Sequence, residues 1–325
     1  MRKIVTALII GVCLLLAYFT VTSVEKVVRS DWQEPLPLDQ TDQSYRLALI
    51  TQDIDTPFWD EVIEGASLQA RQDGVMLERL GNYSHNEDDF LRNLELAIHA
   101  KVDGIIVQGL DTDEFKELTK IKAAFYSIPI ITIANDVPME ESLRRTYVGS
   151  PQYQAGQLLA RQLVEDMGVS GEVVLFYDQS EPYFQEQRKA GIEEVLEQYP
   201  GISVIPAMTT EHMDDVLATT QALLNHYPNV DSFIAVNANI VAGMVQEIGR
   251  RRQVDSLYIY TFDDHADVAK LLEKNKVDAV IRQEPEEMGR LSVQLIVEWL
   301  NGETVPLDFD GYFTNIDILK AIDAP

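Results

Sequence analysis

The sequence predicts an α/β protein: two similarly wound lobes with parallel sheets, preceded by an N-terminal transmembrane helix or signal. Three observations carry this. From residue 45 onward, short apolar runs alternate with stretches of helical period, the pattern of parallel strands covered by helices on both faces. The chain also repeats itself weakly: Phe58 and Gly65 are answered 126 positions later by Phe184 and Gly191, and Asp103 and Asn135-Asp136 are answered 128 positions later by Asp231 and Asp263-Asp264. Finally, Arg2 and Lys3 precede an uncharged apolar run over 4–24.

That first run is about 20 residues, enough to span a bilayer and longer than a usual signal-peptide core. Its positive flank places the N-terminus in the cytoplasm and the rest of the chain outside. Cys13 is the single cysteine, so no disulfide forms within the chain. A lipid-modified Cys13 is disfavoured because Val12 precedes it and Leu14, Leu15 and Leu16 continue the run. The length favours an uncleaved anchor, with cleavage after Ser23 the alternative. Residues 25–44 carry charges, Pro35 and Pro37 without an apolar period, and read as a linker.

The first strand and helix set the pattern. An apolar run at 46–51 is followed by polar turn formers, and Pro57 suits the first turn of a helix, where its missing N–H is no loss. Val62, Ile63, Ala66, Leu68 and Ala70 then give a helical apolar stripe over 57–73. By the same reasoning, further strands fall at 75–80, 104–108, 129–134, 172–176, 202–206, 232–236, 257–262 and 278–282. Helices fall at 87–100, 113–126, 151–167, 183–198, 213–226, 238–251, 265–274 and 285–300.

In open α/β sheets ligands collect at the carboxyl ends of strands. Asp53, Phe58 and Trp59 follow the first strand; Asn135 and Asp136 follow 129–134. Asp178 and Gln179 follow 172–176, with Gln187 and Arg188 on the next helix. Asn237 and Asn239, then Asp263 and Asp264, then Gln283 follow the last three strands. Carboxylates, planar amides and a guanidinium match hydroxyls that donate and accept together, and the C–H face of a sugar ring packs on a flat aromatic ring. Each residue also has a plainer reading. Asp and Asn after a strand cap helices. Phe58 and Trp59 suit a core, and Arg188 could pair with Glu186 or Glu193. The coincidence of the whole set with strand ends favours a binding site.

Other chemistries lack support. A net charge of -27 without a basic patch argues against nucleic acid. No Cys/His spacing suits zinc. Nucleophile-elbow, phosphate-loop and dinucleotide motifs are absent. The Asp263, Asp264, His265, Asp267 cluster is the one candidate for a hydrolytic or metal site, and it reads more simply as the start of a helix.

Over about 45–314 the residues resemble the periplasmic sugar-binding proteins of the ribose-binding type. The motifs are ITQDIDTPFWDEVIEGA, DGIIVQG, IPIITIAND, YVGSPQYQAGQLLA, the helix start from Gln187-Arg188 to Gly191, FIAVNANIVAGMVQEI, IYTFDD and VIRQEPEEMG, in this order. The resemblance implies two Rossmann-like lobes joined by a three-crossing hinge, with crossings near 148–149, 282–283 and 305. The N-terminal lobe is then 45–148 plus 284–305 and the C-terminal lobe 149–283 plus 306–325. It implies that Phe58 and Trp59 sandwich a sugar and that Asn237, Asp263 and Gln283 bond its hydroxyls. Ala134-Asn135-Asp136 stands where ribose binders carry an aspartate–arginine pair, which argues against ribose itself. Arg188 or a neighbour takes the place of the family arginine.

No helix-turn-helix pattern precedes Tyr45, so a repressor is not expected. The layout is similar to membrane-anchored, xylose-sensing binding proteins that partner LytS-type histidine kinases. The expectation is a non-enzymatic receptor without cofactor or metal, held in the cell membrane by a single pass with its binding domain outside. It would close on a monosaccharide or related polyol and signal to a sensor histidine kinase. The alternatives are the binding component of an ABC sugar transporter with its permease, a receptor for another small molecule, and a hydrolase.

Overall fold

The computed structural model describes residues 44–325 except 53, 55, 82–85, 180–181, 252–256, 264–265 and 322–325, together with residues 15, 16 and 18–20. The 4–24 segment therefore lies almost wholly outside the described residues. Among the described residues no helix is long and apolar enough to cross a membrane.

The first strands are short, apolar and buried on both faces, as parallel strands between helix layers must be. β1 (Arg46–Thr51), β3 (Gly104–Gln108), β4 (Ile130–Ile133) and β5 (Thr146–Gly149) are buried almost throughout, and β2 (Met76–Gly81) is a half-exposed edge. Between them run α1 (Pro57–Gln72), α2 (Glu87–His99), α3 (Asp113–Glu117) and the short α4 (Met139–Ser142). α3 continues into a π-helical turn at Leu118–Ala123. The helix starts are locally encoded: side chains of Thr56, Asn86 and Thr112 accept from backbone N–H groups of α1, α2 and α3.

The second half repeats this. α5 (Gln152–Met167) leads to β6 (Ser170–Asp178), α6 (Tyr183–Leu196), β7 (Gly201–Thr209), α7 (Met213–His226) and β8 (Ser232–Ala235). α8 (Ala238–Arg251), β9 (Tyr258–Phe262), α9 (Ala266–Glu273), β10 (Ala279–Arg282) and α10 (Pro285–Asn301) follow. Two short strands end the chain, β11 (Tyr312–Phe313) and β12 (Asp317–Lys320).

The two six-stranded sheets are wound alike, in the orders β2-β1-β3-β4-β5-β11 and β7-β6-β8-β9-β10-β12. Among the described strands only β12 runs antiparallel to its neighbour. Both orders reverse beside the first strand of their lobe, the point where a crevice opens at the strand ends. The fold is thus the expected pair of α/β lobes.

The internal repeat has physical causes. Asp103 accepts from the N–H of Arg46 at 2.7 Å, and Asp231 from the N–H of Glu172 at 2.8 Å, so each fixes the start of its lobe's first strand. Gly65 and Gly191 sit where two helices cross. A Cβ on Gly65 would lie 1.9 Å from the Glu286 carbonyl oxygen on α10, and one on Gly191 would lie 2.1 Å from the Tyr153 carbonyl oxygen on α5.

Three strands and one short helix are additions to the sequence reading: β5, β11, β12 and α4. None exceeds four residues, too few for a period to register. The chain passes between sheets at 150–151, 283–284 and 314–316. The third passage is a correction to the one expected near Val305. Residues 306–313 stay with the first lobe, because Arg144 Nη1 donates to the Phe309 carbonyl at 2.9 Å, Thr146 Oγ1 donates to that of Asp308 at 2.6 Å, and Tyr312 pairs with Val148.

Candidate functional site

A cleft of about 860 Å³ lies between the two sets of strand ends. Its size falls in the range of small-molecule sites. Phe58, Trp59, Asn135 and Asp136 from the first lobe line it, with Arg188, Asn237, Asp263 and Gln283 from the second sheet and its exit. Asp53, also expected at the site, lies outside the described residues, as do Asp264 and His265.

Each side chain is placed by its element. Thr56 caps α1 and Pro57 starts it, so Phe58 and Trp59 stand in its first turn at the end of β1. Their rings meet edge to face at 5.4 Å. Trp59 is only 5% exposed and packs into the core of the first lobe, whereas Phe58 is half-buried. Trp59 therefore has both of its expected roles open to it, core and cleft wall.

β4 and β9 end alike. Ala134 and Asp263 both take φ of +64°, the left-handed region that L-residues rarely enter. Such strain collects at functional positions, and it turns the chain sharply at both strand tips. In the first lobe, the Tyr147 hydroxyl holds the Ala134 carbonyl at 2.9 Å. Burial pushes that phenol's pKa well above its ordinary value, so it stays a donor.

Beyond Ala134, Asn135 faces the cleft half-buried, while Asp136 is engaged. Arg144 grips Asp136 through Nε at 2.6 Å and Nη2 at 2.7 Å, and Thr132 Oγ1 donates to it at 2.6 Å. Asp136 is thus one half of a buried ion pair, with little acceptor capacity left for a ligand. Nearby, Tyr183 lines the cleft with its pKa raised, chiefly by burial and then by the Asp136 charge.

Arg188 does not pair with Glu186 or Glu193 on its own helix. It is 2% exposed and reaches across the lobe, donating to Gln152 Oε1 at 2.7 Å, the Val236 carbonyl at 2.8 Å and both carboxylate oxygens of Asp263 at 3.2 and 3.4 Å. Its guanidinium also lies over the rings of Phe262 and Phe184, at 4.4 and 5.1 Å. Gln283 Nε2 donates to the same Asp263 carboxylate, while Gln283 Oε1 is buried and without a partner among the described residues.

Asn237 combines two readings. Its Oδ1 accepts from the N–H of Asn239 at 3.0 Å, the local bond of a helix start. Its Nδ2 donates to Glu211 Oε1, and Asn239 Nδ2 donates to Glu211 Oε2 at 2.8 Å.

Several cleft residues escaped the sequence reading. Glu211 was missed because β7 was expected to stop at 206, where Pro206 breaks the run. β7 is an edge strand, where proline is tolerated, and it continues to Thr209. Gln185 is 1% exposed in the wall; its Oε1 accepts from the N–H of Asp178 at 2.9 Å while its Nε2 has no partner among the described residues. Phe184 was visible only as the repeat of Phe58. Gln187, by contrast, is not in the cleft wall. Among the described residues no group of three or more His, Cys, Asp or Glu side chains could hold a metal ion.

Comparison with known proteins agrees with this architecture. The periplasmic binding protein domain matches over residues 47–304. The chain belongs to that family. Among solved periplasmic binding proteins it is similar to GanP, a glucose-galactose binding protein from Geobacillus stearothermophilus, with 30% identity and a TM-score of 0.80 over 87% of this chain and 99% of that one. The ribose import binding protein RbsB of Bacillus subtilis is 20% identical over 81% of this chain and 84% of its own length. A chain of the XylFII-LytSN complex shares the fold, with a TM-score of 0.74, 24% identity and coverage of 86% and 99%.

Proposed function

We propose that this periplasmic binding protein is a membrane-tethered extracytoplasmic receptor that closes on a monosaccharide or related polyol and reports the closed state to a sensor histidine kinase. One observation carries the ligand class. Two lobes deliver planar amides, carboxylates, a guanidinium and aromatic rings from distant parts of the chain into a single cleft. That mixture suits a small molecule whose every hydroxyl both donates and accepts and whose ring has an apolar face. GanP and RbsB, named for sugars, support the same class.

The proposed binding set is Phe58, Trp59, Asn135, Asn237, Asp263 and Gln283, with Arg188 orienting Asp263; Asp136 is engaged by Arg144 and Thr132, and Asp53 is included only for its place after β1 in the sequence. Thermal shift against a monosaccharide panel, followed by calorimetry, tests it. A ligand held at 100 times its Kd raises stability by about 2.7 kcal/mol, a readily measured shift. A flat response to every sugar would sink the reading.

The signalling role rests on the uncharged 4–24 run and on the fold shared with a protein found in complex with LytSN. The second reading, a transporter's binding component, is favoured by the import function in RbsB's name. Mass spectrometry of the mature N-terminus separates them. An intact apolar segment supports the tethered sensor; lipid on Cys13 or cleavage near Ser23 supports transport.

A further inference from the structure

We infer that Glu211 makes the cleft select by charge, preferring a polyol that carries an ammonium group over the matching neutral compound and disfavouring one that carries a carboxylate. This rests on the sugar-receptor reading and narrows its ligand class.

Both guanidiniums at the site are already spent on the protein. Arg188 is bound to Asp263, Gln152 and the Val236 carbonyl; Arg144 is bound to Asp136 and the Phe309 carbonyl. An incoming anion could reach neither guanidinium without breaking one of these buried pairs. Glu211 is different. Among the described residues it has no ion-pair partner, yet it does not swing freely, because the amides of Asn237 and Asn239 hold one carboxylate oxygen each. A carboxylate offers about four lone-pair sites. Two are taken here, so two remain, on a head whose negative charge no ion pair among the described residues offsets. The neutral amides fix its position without cancelling that charge.

The acceptor excess extends into the wall. Gln283 Oε1 is buried and unpartnered, so a donor-rich ligand head meets a second open acceptor. The Nε2 of Gln185, buried and unpartnered among the described residues, is a neutral donor suited to a hydroxyl oxygen, as is the amide of Asn135 in the same cleft. An ammonium gives three N–H donors and a charge opposite to that of Glu211. Such charge-assisted bonds are roughly twice as strong as neutral ones.

The test takes the neutral hexose that binds best in the panel and compares it with its 2-amino-2-deoxy and uronate derivatives by calorimetry at low salt. The amino sugar should bind roughly tenfold more tightly than the parent, and the uronate at least tenfold more weakly. In Glu211→Gln, which keeps the side chain's length and removes its charge, the amino-to-parent ratio should collapse toward one. Raising the salt should shrink the same ratio in the unaltered protein, a check that needs no variant. Equal affinity for amino and neutral forms, or a preference that survives Glu211→Gln, would overturn the inference while leaving the receptor reading intact. Failure of every neutral sugar would instead remove the reading beneath it.

Discussion

At the scale of single residues, the cleft separates side chains that serve a ligand from those that serve the protein. Trp59 does both, so Trp59→Ala confounds them: emptying a core site of that size costs about 3–5 kcal/mol of stability in addition to any lost stacking. Half-buried Phe58 is the cleaner probe. Phe58→Ala should weaken sugar binding by about 1–3 kcal/mol, or roughly 5- to 150-fold, with a smaller loss of melting temperature than Trp59→Ala. Calorimetry and thermal melts on both variants check this. Asp136 lies on the protein's side of the divide. Asp136 is 11% exposed in the intact pair, and without Arg144 it loses its counter-charge, so Arg144→Ala should destabilise the fold by about 3–5 kcal/mol in denaturant titrations. Strand-end position placed these residues at the cleft; it did not say which of them were already engaged with one another.

At the scale of elements, two helix crossings hold the lobes' outer layers together. α1 meets α10 through Gly65 and Gly289, and α5 meets α6 through Gly156 and Gly191. A Cβ on Gly289 would stand 1.9 Å from the Val62 carbonyl oxygen. Gly289→Ala and Gly191→Ala should each cost about 1–3 kcal/mol in chemical denaturation, since backbone cannot yield as a flexible side chain would. The glycine repeat in the sequence is the trace of these crossings. α5 is further tied to the second sheet by Asp166, which accepts from the Tyr260 hydroxyl at 2.6 Å and Lys320 Nζ at 2.8 Å. Burial pushes the Asp166 carboxyl up, but the bonds from Lys320, Tyr260 and Gln162 together outweigh it and hold the pKa below the usual 3.8. A carboxyl with a lower pKa folded than unfolded stabilises the fold where it is ionised. That contribution fades as pH falls below about 4 toward the folded value. The melting-temperature gap between the native protein and Asp166→Asn should therefore be widest near neutral pH and close in acid.

At the scale of the molecule, the chain crosses between the sheets three times, and each crossing carries a buried polar atom without a partner among the described residues: Ser150 Oγ, Gln283 Oε1 and Thr314 Oγ1. An orphaned buried hydroxyl costs about 1–3 kcal/mol. Thr314→Val, nearly the same shape without the hydroxyl, should therefore raise the melting temperature of the ligand-free protein; a lower one would mean that the hydroxyl has a partner in solution.

The alternation of strands and helices, the first turn of α1 and the meeting of strand tips at one cleft were all legible in the order of residues. They follow from burial periods and caps that act within one or two turns of chain. The pairings that decide the site's chemistry were not: Arg188 with Asp263, Arg144 with Asp136, Glu211 with Asn237 and Asn239. Nor was the return of residues 306–313 to the first sheet. These partners stand from 8 to 165 positions apart, from Arg144 and Asp136 to Arg144 and Phe309. Which charge meets which donor is set by where whole sheets and loops come to rest, and that only the folded chain decides.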